Sequence, residues 1–185
     1  ASFFNKYNDI ILTLTACPAA PCLQPNNVGK ADVKGFEFEV NARPVEGFML
    51  DGSLSYIDFK YKNTGTSGVP LSNTTPYTPK WTYSFGAQYD YQMKSGMVGL
   101  RYQSSVFTNA LNGPTNKVDG RFLGNVRLSY TTDDKDWQIS GEIQNVFNKY
   151  YYNSVEDVSN VAGFGAITAS PGLPRTWAVS VRRSF

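Results

Sequence analysis

The chain has 185 residues, a net charge of +2, 15% aromatic residues and only 17% charged ones. Charge that sparse falls below the roughly one quarter usual in soluble domains, and no segment approaches the ~18 consecutive apolar residues of a membrane helix. Lys and Arg are scattered, which argues against a nucleic acid partner.

The opening residues, Ala1-Ser2-Phe3-Phe4-Asn5-Lys6-Tyr7, lack the basic start and apolar core of a signal peptide. They already read as strand, so the expectation is a piece of a longer exported chain. A first strand is predicted over residues 3–15, with the least regular alternation of any. Next comes Cys17-Pro18-Ala19-Ala20-Pro21-Cys22, holding the only two cysteines. In an oxidising compartment a disulfide between Cys17 and Cys22 is expected. The spacing is not that of a redox Cys-x-x-Cys, and without histidine a zinc site lacks ligands. No metal or cofactor is expected.

Beyond residue 30, apolar and polar residues alternate with period two, the signature of a strand with one wet and one dry face. Phe36, Phe38, Val40 and Ala42 oppose Glu37, Glu39, Asn41 and Arg43. Phe48, Leu50, Leu54 and Tyr56 follow, then Trp81, Tyr83, Phe85, Ala87 and Tyr89. Val98, Leu100 and Tyr102 continue the series, then Phe122, Val126, Leu128 and Tyr130, then Trp137, Ile139 and Ile143. In the last strand Trp177, Val179, Val181 and Phe185 share one face, with Ala178, Ser180 and Arg182 opposite. The expected fold is all-β, with about eight antiparallel strands.

Connections at 44–47, 91–96 and 132–136 read as tight turns. Those at 17–29, 63–80, 109–118 and 148–173 are long. Strict alternation puts every tight turn at one end of the sheet, as in outer-membrane barrels with short periplasmic turns and long extracellular loops. Aromatic pairs Phe48 and Tyr56, Trp81 and Tyr89, and Phe122 and Tyr130 bracket about nine residues, the strand length that crosses a bilayer core. A soluble sandwich alternates in the same way with its apolar face inward, so periodicity alone leaves both readings open.

Asn145-Val146-Phe147-Asn148-Lys149-Tyr150-Tyr151, then Gly172-Leu173-Pro174-Arg175-Thr176-Trp177 and the terminal Phe185, resemble the last hairpin of TonB-dependent receptors. Val33-Lys34-Gly35-Phe36-Glu37 and Leu54-Ser55-Tyr56-Ile57-Asp58 are similar to earlier strands of that family, as is Phe3-Phe4-Asn5-Lys6-Tyr7-Asn8-Asp9-Ile10-Ile11. Arg183 departs from the pattern, because the family prefers an apolar or small residue there.

Barrels of that family have about 22 strands and a plugged lumen, so the resemblance makes residues 1–185 the last third of a barrel without its plug. It implies a Gram-negative outer-membrane receptor importing a ferric siderophore, haem, cobalamin or an oligosaccharide. Implied partners are the remaining barrel strands and plug domain, the TonB complex, outer-membrane lipid, the barrel-assembly machinery and a small-molecule or oligosaccharide ligand. Ile57, Phe59, Tyr61, Tyr77 and Phe107 are the expected ligand contacts, since aromatics with a few polar neighbours suit such molecules. Packing of loops against one another is the alternative role for these residues. Trp177, Val179, Val181 and Phe185 are implied as the assembly signal.

An enzyme is not expected. A Ser–His constellation is impossible without histidine, and Glu37 and Glu39 on one strand face match ordinary lumen polarity. A self-closed eight-stranded barrel with an anchoring role stands as the alternative.

Overall fold

The computed structural model describes residues 1–14, 24–27, 29–159 and 165–184. Within them run β1 (Ser2–Tyr7), β2 (Ile11–Leu14), β3 (Gln24–Asn27), β4 (Lys30–Val45), β5 (Phe48–Asn63), β6 (Trp81–Tyr91) and β7 (Lys94–Gln103). There follow β8 (Val106–Phe107), β9 (Lys117–Val118), β10 (Arg121–Thr131), β11 (Trp137–Gln144), β12 (Tyr152–Asp157), β13 (Ile167–Pro171) and β14 (Thr176–Arg183). Eight of them form one antiparallel sheet in the order β1-β4-β5-β6-β7-β10-β11-β14. Among the described residues β1 pairs only with β4 and β14 only with β11, so the sheet is an open wall. A self-closed barrel requires β1 against β14, and that pairing is not made.

The other six strands build hairpins on the long connections: β2 with β3, β8 with β9, and β12 with β13. The first strand is therefore shorter than residues 3–15. Asp9 takes a φ of 57°, and that left-handed residue ends the wall strand and redirects the chain into the β2–β3 arm. Tight turns join β4 to β5, β6 to β7 and β10 to β11, all at one end of the wall. At the first of these Gly47 has a φ of 75°, and a Cβ there would lie 2.2 Å from the Asp90 carbonyl oxygen. Only glycine fits that approach.

The register lines like with like across the wall. Phe38, Leu54, Tyr83, Tyr102 and Phe122 are successive partners on the apolar face. Glu39, Ser53, Ser84 and Arg101 are partners on the polar face, where the Ser53 and Ser84 hydroxyls bond at 2.8 Å. Along β6 the aromatics Trp81, Tyr83, Phe85 and Tyr89 are exposed, while Thr82, Ser84 and Gln88 are half-buried. Water-soluble folds do the reverse, burying the aromatic face beneath a second layer. Here the buried apolar residues among those described are Ala31, Tyr61, Val69, Val106, Ala110 and Val118. All lie at the long-loop end.

Two aromatic belts edge the apolar face. Phe36, Tyr56 and Trp81 cluster at the long-loop end, with ring centroids 5.7, 6.0 and 4.5 Å apart. Phe48 meets Tyr89 at 6.3 Å near the tight turns. Eight residues separate the belts along β5 and β6, ~27 Å of strand. Arg183, the residue that departs from the family pattern, rests its guanidinium 5.0 Å from the centroid of Trp137. That cation–π contact accommodates its charge at the belt.

Candidate functional site

The long-loop end is a mouth closed over by three interlocked connections. They are rich in Asn, Ser and Thr, whose side chains bond backbone groups that no sheet ladder satisfies. Asn73 donates to the Ala110 carbonyl at 2.9 Å. Asn112 accepts from the Thr74 amide at 2.7 Å and donates to the Thr74 carbonyl at 3.0 Å. These bonds fasten residues 64–80 to residues 104–120. Asn116, buried, accepts from the Asp157 amide at 2.9 Å, and the Thr108 hydroxyl donates to the Val155 carbonyl. The third connection is thereby joined to the second.

Beneath the interlocked loops, Tyr61, Ala31, Val69 and Ala110 form a small core with Ile10, Leu12 and Phe59 against it. Tyr61 is only 4% exposed, its ring 4.7 Å from Phe59, and its hydroxyl has no hydrogen-bond partner among the described residues. Burial pushes that phenol above its ordinary pKa. At the rim, hydroxyls of Ser159 and Thr115 hold the Asp157 carboxyl below the usual range.

The five residues named as ligand contacts divide accordingly. Ile57 and Phe59 are half-buried on the polar-face parity of β5, and Tyr61 lies in the inter-loop core. Tyr77 and Phe107 meet through a 2.8 Å bond from the Tyr77 amide to the Phe107 carbonyl. The Tyr77 ring is half exposed at the mouth. The asparagines that tie the loops were missed in the sequence. Their signal was the density of Asn in loops too long to satisfy their own backbone.

On the other face of the same end, lysines and aspartates pair in a ladder: Lys34 and Lys60 each 3.5 Å from Asp58, and Lys62 3.4 Å from Asp32. Lys80 joins it with its ammonium 5.6 Å from the Tyr56 ring centroid. Charge thus begins immediately above the aromatic belt.

The conspicuous block at residues 145–151 is a structural lock. Asn145, 4% exposed with a φ of 51°, donates to the carbonyls of Lys149 and Leu173 and accepts from the Lys149 amide. Its own amide donates to the Asn125 side chain at 3.1 Å. Phe147 lies across Gly124, where a Cβ would come within 2.7 Å of its ring, and stacks on Phe122 at 5.4 Å. Tyr151 covers Gly172 so closely that any side chain there would collide with it, and the Arg121 guanidinium lies over the Tyr151 ring, 4.8 Å from its centroid. The block joins β10, β11 and the start of β14. Cys17, Cys22 and Phe185 lie outside the described residues.

Comparison with known proteins sets this geometry in context. The family model "TonB dependent receptor-like, beta-barrel" matches residues 1–146. The ferrienterobactin receptor of Escherichia coli K12 is 29% identical over 177 residues, 88% of this chain and 23% of its own length. Among solved structures, the ferric yersiniabactin uptake receptor of Yersinia pestis superposes with a TM-score of 0.78 at 19% identity, over 100% of this chain and 27% of that one. The ferric-catecholate import receptor Fiu of E. coli K12 gives 0.74 at 20% identity, over 100% and 24%. The chain spans about a quarter of the length of these relatives.

Proposed function

Since this chain belongs to the TonB-dependent receptor β-barrel family, we propose that it forms the C-terminal wall of an outer-membrane receptor importing a ferric siderophore with TonB-derived energy. Residues 1–185 then supply the last eight of about 22 strands. Other parts of the receptor provide the plug, the TonB-contacting segment and the strands that satisfy the open edges of β1 and β14, which a bilayer cannot leave unpaired. The apolar face meets lipid and the polar face lines the lumen.

The observation that carries this reading is the asymmetry of the wall. Its middle is apolar on one face and hydrogen-bonded on the other, and the buried apolar core among the described residues lies among loops at one end. A receptor needs that arrangement: a rigid wall and a structured mouth where an exposed Tyr77 and a half-buried Phe107 meet incoming ligand. The named substrates of its relatives, ferrienterobactin and ferric yersiniabactin among them, favour a ferric siderophore over haem, cobalamin or oligosaccharide.

The test is uptake of radiolabelled iron by cells expressing the complete receptor, supplied with a panel of ferric siderophores. Uptake of at least one is expected, lost when TonB is inactivated. Binding and uptake of none, with haem or a sugar taken up instead, would contradict the siderophore reading.

Two further expectations follow for segments outside the described residues. Mass mapping of unreduced peptides should find Cys17 linked to Cys22, because the periplasm oxidises paired thiols during export. Two alkylatable thiols in protein from the outer membrane would contradict it. Deleting Phe185 should lower the folded, heat-modifiable fraction in cells, if Trp177, Val179, Val181 and Phe185 form the stripe that the assembly machinery receives. In the structure Trp177, Val179 and Val181 share one exposed face, with Trp177 78% exposed. Unchanged insertion would leave Phe185 an ordinary interfacial aromatic.

A further inference from the structure

On the apolar face near the tight turns, the wall is indented. Tyr89, Gly96, Leu128 and Gly141 are successive cross-strand partners. Tyr91, Lys94, Tyr130 and Ile139 form the next row toward the turns. Where neighbouring positions carry large side chains, Gly96 and Gly141 carry none, and a groove of about 690 Å³ opens between them. The stacked rings of Tyr89 and Tyr91, 6.4 Å apart, form one wall, with Leu128, Tyr130 and Ile139 opposite. Lys94 stands exposed at its turn-side end and makes no ion pair among the described residues.

We propose that this groove holds one anionic glycerophospholipid of the inner leaflet, its phosphate on Lys94 and one acyl chain lying along β7 over Gly96 and Val98. The proposal rests on the membrane orientation given above. Lys94 lies one row, ~7 Å along the strand, outside the belt row of Tyr89 and Gly96, so a phosphate held there lets an acyl chain enter the hydrocarbon at Gly96. A slender chain fills a slot between aromatic ridges and gains from each buried methylene. The tyrosines sit at headgroup depth, where amphipathic rings settle. An unpaired ammonium at that depth is stabilised by a lipid phosphate. A second copy of the chain is the poorer occupant. A two-fold contact centred on the groove brings each Lys94 toward its own mate, and like charges in a dry interface repel.

The complete receptor, extracted in mild detergent and delipidated, is titrated with phosphatidylglycerol and followed by native mass spectrometry. One saturable lipid per receptor is expected. Lys94→Gln should weaken it roughly fivefold, the contribution of one basic residue at an anionic lipid surface. Gly141→Leu should abolish it, since a Cβ at Gly141 meets nothing within 4 Å and the larger side chain extends into the groove. If Gly141→Leu does not fold, Lys94→Gln decides alone. Absence of a saturable lipid, retention unchanged in the variants, or a receptor dimer that excludes lipid would each overturn the proposal. A spin label at Phe38, on β4 and two strands from the groove, separates the two claims: a lipid environment there with no bound phospholipid defeats only the groove, whereas water there defeats the membrane orientation.

Discussion

Asn145→Ala is expected to destabilise the assembled barrel by about 3 kcal/mol, several times more than Asn148→Ala. The substitution strips three hydrogen bonds from a side chain that is 4% exposed, leaving the carbonyl of Leu173 and both backbone groups of Lys149 without their partner. Buried polar groups left unsatisfied cost roughly 1–3 kcal/mol each. Asn148 has nearly the same backbone, with a φ of 50° against 51°, so left-handed strain enters both substitutions alike. Its side chain is exposed and accepts one long bond, 3.4 Å from the Arg175 amide, in the range of ~1 kcal/mol or less. Denaturant unfolding of both variants in vesicles measures the difference. Equal losses would mean that the backbone turn rather than the side-chain bonds carries the lock.

Charge placed on the apolar face should be nearly as costly. Phe85 lies mid-wall between Gly52 and Leu100, its ring half exposed. Phe85→Lys is expected to cost about 2–4 kcal/mol, the range for a lysine facing lipid at mid-membrane. Ser84→Lys, one residue away on the polar face, gives up the bond to Ser53 and places its ammonium in water, a loss of ~1 kcal/mol. Folded fraction after refolding into vesicles reads both. A soluble protein with the apolar face packed inside would rank the two variants in the same order, so the discriminating result is the parent protein: it should fold only in the presence of vesicles, whereas a soluble sandwich would fold in water.

Much of the wall was legible because a sheet strand has period two and its faces differ in chemistry. Phe38, Phe85 and Val179 take the parity that alternation assigned them, and the tight turns all fall at one end. The register could not be read, since it depends on turn geometry such as the left-handed Gly47 and on close approaches such as Phe147 over Gly124. The division of the first strand was also hidden. It turns on one left-handed residue, Asp9, in a stretch whose alternation was already weak. Loop hairpins escaped notice because strands as short as Val106–Phe107 carry too few residues for any period. The motif at residues 145–151 pointed to the family by resemblance, but its physical reason, a buried amide bonded to three backbone groups, needed the folded geometry. Tyr61 reads in sequence like Tyr77, yet it is buried in the inter-loop core while Tyr77 is half exposed at the mouth. Alternation cannot tell how a loop folds back over a strand.

The central claim is that the apolar face meets lipid and the polar face a water-filled lumen. Spin labels placed singly at Phe38, Phe85 and Val179, and at Glu39, Ser84 and Ser180, test it most directly by their accessibility to oxygen and to a polar relaxation agent in native membranes. The first three should favour oxygen, as in a bilayer core, and the second three the polar agent. Reversal of the two sets, or the same aqueous response from all six, would contradict the account.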